Sequence, residues 1–177
     1  GHPAIRVIEF YLNTMQQKWD WLLGLTKCLE QHLKDALSLS TFMEDAKAAE
    51  DSMIKQSELL ERKYDRHDFT VEEGEQQLHE LDEINEMIRK YHSILMALTE
   101  RSAQISPLWQ RGERIQRPMP VVTLTDYLDR NVSVREKDEC LLIDNSDLIH
   151  WNVRTADDVQ CSLPSVIFRI PPPDSRL

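Results

Sequence analysis

Apolar side chains recur every three or four positions along the first hundred residues, and this spacing predicts long helices. The first stripe, here called the helix seam, alternates steps of three and four and is typical of a helix that packs on other helices. Because Trp19 lies on the seam and Trp21 does not, Trp19 is the predicted core tryptophan. The seam consists of Leu12, Met15, Trp19, Leu22, Thr26, Leu29, Leu33 and Ala36.

After Ala36 the phase of the apolar positions shifts, although no proline or glycine interrupts the chain there. We therefore predict one long helix that changes its packing partners near Leu37 to Thr41. Proline and glycine, which break helices, are scarce in this half, and no proline occurs between Pro3 and Pro107. The second stripe consists of Phe42, Ala46, Ala49, Met53, Gln56, Leu60 and Tyr64.

A second helix is predicted to begin after Thr70, because Thr70 and Glu73 have the spacing of a capping box. Its apolar stripe reaches about Ser106, where Pro107 ends it. A short turn near His67 to Phe69 would make the two helices antiparallel. The stripe consists of Leu81, Ile84, Ile88, Tyr91, Leu95, Leu98, Ser102 and Ile105.

Beyond Gln116 the pattern changes to short runs rich in β-branched residues and separated by turn residues. Five such strands in so short a segment predict a small β-barrel. The predicted fold class is therefore mainly α with a small β domain. The runs are VVTLTDY, VSV, ECLLID, IHWNV and SLPSVIFRI.

The composition narrows the possible partners. The net charge of −10 and the pI near 5.0 argue against nucleic acids and anionic membranes, which select clustered lysine and arginine. No apolar run is long enough to insert into a bilayer. Residues 41–100 hold 16 acidic and 7 basic residues, which favours a solvated helix surface over a docking face for a basic partner.

The candidate catalytic and metal-binding residues form no recognisable site. The three cysteines, Cys28, Cys140 and Cys161, form no CxxC pair, which suits buried thiols in a reducing cytosol. Cys28 and His32 have the spacing of half a metal site, but no second pair stands nearby, so a structural role is favoured. We predict no enzyme activity and no cofactor.

The β half resembles a Src-homology-3 (SH3) domain in the order of TLTDY, the acidic turn REKDE, a tryptophan strand and LPS. The whole chain resembles the plakin family, most closely its spectraplakin branch. The segments that carry this resemblance are KWDWLLGLTKCLEQHLKDA, FMEDAKAAEDSMIKQSELLERKY, NVSVREKDECLLIDNSDLIHWNV and LPSVIFRIPPP.

This resemblance implies a domain arrangement. Residues 3–38 would be the last helix of one spectrin repeat, and residues 39–106 the first two helices of the next. A linker at 107–118, where Trp109 is a candidate anchor, would lead to an atypical SH3 barrel at 119–173 inserted in that repeat. The resemblance further implies a non-catalytic cytoplasmic linker of actin, microtubules or intermediate filaments at junctions such as hemidesmosomes.

The SH3 groove that ordinarily binds polyproline lacks most of its aromatic side chains. Only Tyr127 and Pro164 remain, so we expect no ordinary PxxP binding and instead a contact between the barrel and the repeat helices. The aromatic or polar residues usual elsewhere in the groove are replaced by Thr125, His150, Val166 and Ile167.

An alternative is that the barrel is a binding module, covered by the helices and exposed by force or by a partner to recruit signalling proteins. The helix seam carries a separate expectation. Because it would lack its own repeat partners, two copies of the chain would associate through it.

Overall fold

A computed structural model describes residues 3–65, 68, 70–129 and 132–173. The chain divides into two compact units, one formed by residues 1–37 and 106–177 and the other by residues 38–105. The predicted turn near His67 to Phe69 falls largely outside the described residues.

Two long helices dominate the first hundred residues. Helix α1 spans Pro3–Tyr64 without interruption, as the lack of helix breakers between its two stripes predicted. Helix α2 spans Val71–Ser102 and begins with the predicted capping box: Thr70 Oγ1 accepts from the Glu73 amide at 3.3 Å, and Glu73 Oε2 accepts from the Thr70 amide at 2.9 Å.

Helix α2 ends at Ser102, a few residues before the predicted position near Ser106. The amides of Gln104 and Ile105 donate to carbonyls three residues back, at Arg101 and Ser102, which tightens the last turn and ends the α-helical pattern.

The second unit is an antiparallel pair formed by the later part of α1 and by α2. Arg101 of α2 donates to Asp45 of α1 at 2.7 Å, and the hydroxyls of Ser52 and Tyr91 are 2.6 Å apart. Further along α1, Tyr64 donates to Glu80 at 3.3 Å. The residue numbers of these contacts increase along α1, from 45 to 64, while those of their partners in α2 decrease from 101 to 80. The two helices are therefore antiparallel, as predicted.

The barrel contains a five-stranded antiparallel sheet, with strand order β6-β5-β4-β1-β7, and a separate β2-β3 hairpin. A short 3₁₀ turn at Ser165–Ile167 separates the last two strands. The strands are β1 Met119–Thr123, β2 Tyr127–Leu128, β3 Ser133–Val134, β4 Glu139–Asp144, β5 His150–Arg154, β6 Gln160–Pro164 and β7 Phe168–Arg169.

Alternating strand residues form the barrel core. Val121 of β1, together with Trp151 and Val153 of β5, is almost fully buried, and Trp151 stacks on Phe168 with ring centroids 6.1 Å apart. Period-two alternation places these residues on the inner face, and their neighbours along the strands lie on the outer one.

The segment before β1 was predicted as a linker, but it packs on the barrel. Asn145, which is buried, accepts from the Ile115 amide and donates to the carbonyls of Gln110 and Glu113. Trp109, which was expected to pin the barrel to the helices, is 54% exposed. The anchor is a cation, Arg111.

Arg111 lies over the ring of Trp151 with its guanidinium carbon 4.5 Å from the centroid, a cation–π arrangement. The same guanidinium donates to the carbonyls of Phe168 at 2.6 Å and Ser165 at 2.9 Å. Burial lowers the pKa of Arg111, whereas the nearby Asp35 carboxylate raises it. This residue therefore connects the barrel electrostatically to the first part of α1.

Candidate functional site

The first part of α1 packs on the barrel through residues three and four positions apart, here called the barrel-facing stripe. The stripe consists of Trp21, Gly24, Cys28, His32 and Asp35, of which Gly24, Cys28 and Asp35 are buried. Its spacing places all five residues on one side of the helix. The resulting contact is the best candidate for a functional surface in this unit.

Aromatic and close backbone contacts lie at the N-terminal end of the stripe. The rings of Trp21 and Tyr127 meet edge to face, with centroids 5.2 Å apart. One turn further, a Cβ on Gly24 would lie only 2.7 Å from Thr125 Oγ1 and 3.3 Å from Thr125 Cγ2. The helix can approach the barrel this closely because position 24 has no side chain.

The middle of the stripe enters the barrel core. Cys28 is fully buried and belongs to the same apolar cluster as Trp151 and Phe168. Next to it, His32 Nε2 lies 2.8 Å from the carbonyl oxygen of Val166. Burial lowers the pKa of His32, so the neutral ring, with its proton on Nε2, is the form that donates to this carbonyl at neutral pH.

An ion pair lies at the C-terminal end of the stripe. Arg169 donates to both carboxylate oxygens of Asp35, through Nε and Nη2, each at 2.7 Å, and Gln31 donates a third hydrogen bond at 3.1 Å. The Asp35 side chain is 7% exposed and the Arg169 side chain 29%. This two-point geometry fixes both the position and the rotation of the helix against the barrel.

Comparisons with known proteins agree with this fold. A spectrin-like-repeat family model matches residues 40–106, and an SH3-domain family model matches residues 107–171. A crystal structure of a rigid four-spectrin-repeat fragment of the human desmoplakin plakin domain superposes with a TM-score of 0.86. The two sequences are 32% identical, and the match covers 98% of this chain and 39% of the desmoplakin fragment. This chain belongs to the plakin family.

Curated relatives of this plakin segment are similar along almost its whole length. Desmoplakin-A of Danio rerio is 30% identical over 176 residues, covering 98% of the segment. Microtubule-actin cross-linking factor 1 of Homo sapiens is 30% identical over 178 residues, also covering 98%. The segment spans only 8% and 2% of these relatives' own lengths.

The six groove positions expected from the sequence fall into separate environments in the plakin segment. Thr125, Tyr127 and Val166 contact the barrel-facing stripe, through Gly24, Trp21 and His32 respectively. Ile167 was expected at the groove surface but is fully buried in the barrel core.

The other two groove positions lie on neighbouring strands. His150 and Pro164 face each other across β5 and β6; His150 is exposed and Pro164 half-buried. The structure therefore brings three of the six positions to the helix and separates His150 from them.

The helix seam does not face the barrel. Its six apolar members, from Leu12 to Leu33, are between 54% and 69% exposed: Leu12, Met15, Trp19, Leu22, Leu29 and Leu33. The prediction that Trp19 rather than Trp21 is the core tryptophan is wrong for this chain. Trp21 lies about 200° around the helix from Trp19, which places it on the barrel-facing stripe.

Sequence patterns could have shown part of the barrel-facing stripe. An isolated glycine inside a strong helix pattern is a signal of close packing, and Gly24 is one. The stripe contains a glycine, a histidine and an aspartate, so it has no apolar periodicity that would reveal it. Arg111 gave no signal, because its role depends on chain segments far apart in sequence.

The cysteines of the plakin segment have no reactive setting. Burial raises the pKa of Cys28, and burial raises that of Cys140 to about 11, so both thiols remain protonated at neutral pH.

Among the described residues no group of histidine, cysteine, aspartate and glutamate side chains could hold a metal ion. Over the same part of the chain, no helix is both long and apolar enough to cross a membrane.

Acidification is expected to weaken the packing of α1 through His32. Its folded pKa lies below the ordinary value of 6.5, mainly because of burial, which outweighs the opposing effect of the hydrogen bond to Val166; Arg111 and Arg169 lower the pKa further and Asp35 raises it. Above pH 6.5 the imidazole of His32 is mostly neutral in both the folded and the unfolded chain. Below pH 6.5 the imidazole takes up a proton in the unfolded chain more readily than in the folded chain. The free energy of unfolding should therefore fall modestly as the pH drops below 6.5, and water limits this loss because the ring is only half-buried.

Urea unfolding between pH 7.5 and pH 5 measures this effect. In the His32→Gln variant, whose amide can still donate to Val166, the pH dependence should be shallower than in the unmodified chain. His79→Gln, which removes an exposed histidine of α2, should leave the dependence unchanged. Identical slopes for the unmodified chain and His32→Gln would contradict the assignment.

Proposed function

We propose that this segment is a non-catalytic support within a cytoplasmic cytoskeletal linker, in which the barrel stiffens α1 instead of binding polyproline. The observation that carries the proposal is the use of the groove within the chain: Tyr127, Thr125 and Val166 contact α1. A polyproline ligand needs parallel aromatic walls, and the residual aromatic Tyr127 already packs on Trp21.

Membership of the plakin family supports the domain assignment. In this arrangement residues 3–38 end one spectrin repeat and residues 39–106 supply two helices of the next. The barrel at 119–173 is inserted before the third helix of that repeat. Tension then passes along α1 through Leu37 to Thr41, and the barrel resists unravelling of the helix to which it is fixed.

The names of the relatives suggest the cellular setting. Microtubule-actin cross-linking factor 1 is, by its name, a linker of two filament systems, and the other relative is a desmoplakin. By this similarity we place the segment at the cytoskeleton and at cell junctions such as hemidesmosomes. Its partners there are cytoskeletal or junctional proteins.

Magnetic tweezers test the stiffening role. Handles attached through unnatural amino acids at Ile5 and Leu37 would stretch only the part of α1 that carries the barrel-facing stripe. The helix should unravel at a higher force in the unmodified chain than in Asp35→Ala, which removes the ion pair to Arg169. Equal unravelling forces would contradict a mechanical role for the barrel.

The second candidate is a force- or partner-regulated SH3 binding module that recruits signalling proteins. It is favoured by the retention of Tyr127 and Pro164, two of the residues that an SH3 groove uses. Capture of signalling proteins that rises in Gly24→Ala, which is expected to separate α1 from the barrel, would support this candidate. Equal capture by both chains would exclude it and leave the support role.

Self-association is a separate proposal, based on the exposed helix seam. A run of large apolar side chains on one helix face favours burial against another helix. Sedimentation velocity should show a dimer that grows with protein concentration, and Leu22→Glu with Leu29→Glu should abolish it. A chain that stays monomeric at the highest soluble concentration would contradict this proposal.

A further inference from the structure

The segment that enters the barrel and the segment that leaves it are joined by side-chain hydrogen bonds. Ser106 Oγ donates to the carbonyl of Ile170 at 2.7 Å, although the two residues are 64 positions apart and both are buried. Further along the entering segment, Arg111 donates to the carbonyls of Phe168 and Ser165. All three bonds run from a side chain of the entering segment to a carbonyl of the leaving segment. Together they are here called the entry–exit clamp.

The entering segment is attached to the barrel a second time, at Asn145. The side-chain amide of Asn145 donates to the carbonyls of Gln110 at 3.2 Å and Glu113 at 2.8 Å, and its oxygen accepts from the Ile115 amide at 3.0 Å. Asn145 is only 4% exposed, so peeling the segment away would leave buried polar atoms without partners. Residues 106–115 are therefore held against the barrel at several points along their length.

The strand pair that closes the barrel is short. Strands β1 and β7 share two residue pairs, Val122 with Arg169 and Thr123 with Phe168. The leaving chain cannot lengthen this ladder at residues 171–173, because prolines have no amide proton to donate. The strands are antiparallel, so the start of β1 and the end of β7 lie at the same end of the pair. A force that pulled these ends apart would break the hydrogen bonds one after another, which requires little force.

The clamp lies between this weak strand pair and the rest of the chain. Tension that arrives from α2 reaches Ser106 before it reaches β1, and tension that arrives from the other side reaches Ile170 before β7. We propose that the entry–exit clamp carries tension between α2 and the segment after Ile170 past the barrel, so that the barrel stays folded under load. Arg111 is its strongest member, because it makes two charge-assisted hydrogen bonds and lies over the ring of Trp151.

The clamp also protects the contact between α1 and the barrel. Asp35 of α1 is held by Arg169, which lies in β7 between the clamp residues Phe168 and Ile170. Loss of β7 from the sheet would therefore release α1 as well. We rest this inference on the proposed function in one respect, namely that the segment carries tension.

Magnetic tweezers at constant force test the clamp with two pairs of handles on the whole chain. Handles at Gln104 and Pro173 load the clamp, whereas handles at Arg117 and Pro173 load β1 and β7 directly, because Arg117 follows the clamp in the sequence. All three positions are exposed and accept an unnatural amino acid. Under the same force the folded barrel should last about tenfold longer with the first pair, because the hydrogen bonds to Arg111 must break first.

Variants of the clamp should change the ratio of these two lifetimes. Ser106→Ala with Arg111→Lys removes the hydroxyl and the two-pronged guanidinium but keeps a positive charge at position 111, and the ratio should fall towards one. A general loss of stability would shorten both lifetimes and leave their ratio unchanged. Ser106→Ala alone should reduce the ratio about threefold. Glu113→Ala is the control, because Glu113 is exposed and bonds Asn145 only through its carbonyl, so the ratio should not change.

Two outcomes would overturn the clamp. One is an equal lifetime of the unmodified barrel with both pairs of handles. The other is a ratio that stays the same in Ser106→Ala with Arg111→Lys. Neither outcome affects the unravelling force of α1 between Ile5 and Leu37, so failure of the clamp can be told apart from failure of the support function.

Discussion

Replacing Asp35 with alanine is expected to lower the free energy of unfolding by about 2–3 kcal/mol. The change removes three hydrogen bonds and leaves the guanidiniums of Arg169 and Arg111 without their nearest carboxylate. Breaking a fully buried ion pair costs about 3–5 kcal/mol, and the partial exposure of Arg169 reduces that figure. Urea unfolding of the whole chain measures the loss.

A matched control separates this ion pair from ordinary surface pairs. Glu30 and Lys34 lie on the same helix, and both side chains are 64% exposed, so Glu30→Ala should leave the free energy of unfolding nearly unchanged. Replacing both partners, as Asp35→Leu with Arg169→Met, should restore much of the stability lost in Asp35→Ala, because the Arg169 guanidinium is then no longer left without a partner. Equal costs for Asp35→Ala and Glu30→Ala would show that the pair does not anchor the helix.

Adding one methyl group at Gly24 is expected to separate α1 from the barrel. The new Cβ would lie 2.7 Å from one branch of Thr125 and 3.3 Å from the other, so either the buried Thr125 side chain or the helix must shift. Overpacking of this kind costs about 1–3 kcal/mol. The helix itself gains up to about 1 kcal/mol from the loss of a glycine, so a weaker contact cannot be attributed to a weaker helix.

Hydrogen exchange at the Cys28 and His32 amides measures this separation. Exchange should accelerate in Gly24→Ala and return towards the original rate in Gly24→Ala with Thr125→Ala, because Thr125 Cβ lies at an ordinary 3.5 Å from the added atom. Thr26→Ala, on the exposed side of the same helix, should leave the rates unchanged. Acceleration in Gly24→Ala that Thr125→Ala does not reverse would contradict the proposed steric cause.

The sequence predicted the elements of this fold better than it predicted how they pack. Helix α1, the capping box at Thr70 and the five β-rich runs of the barrel followed from periodicity and local spacing, which act within a few residues of each other. The partner of α1 could not be predicted in that way, because its most regular apolar stripe is the exposed helix seam. The stripe that faces the barrel instead uses a close approach at Gly24 and polar contacts at His32 and Asp35.

The candidate site was predicted only in outline for the same reason. The loss of aromatic residues at Thr125, Val166 and Ile167 indicated an altered groove. It could not indicate that Ile167 is buried in the core or that Arg111 lies over Trp151. Those placements depend on residues far apart in the sequence, 40 positions in the case of Arg111 and Trp151, which no local pattern connects.

The central claim is that α1 covers the altered groove of the barrel, and nuclear Overhauser effects test it most directly. In the whole chain with labelled aromatic rings and threonine methyls, we expect cross-peaks between Trp21 and Tyr127 and between Gly24 Hα and the Thr125 methyl. Both should disappear in Gly24→Ala. When Thr125→Ala is added, the cross-peak between Trp21 and Tyr127 should reappear, whereas the other cannot because the Thr125 methyl has been removed. Absence of both cross-peaks from the unmodified chain, with the barrel folded, would contradict the account.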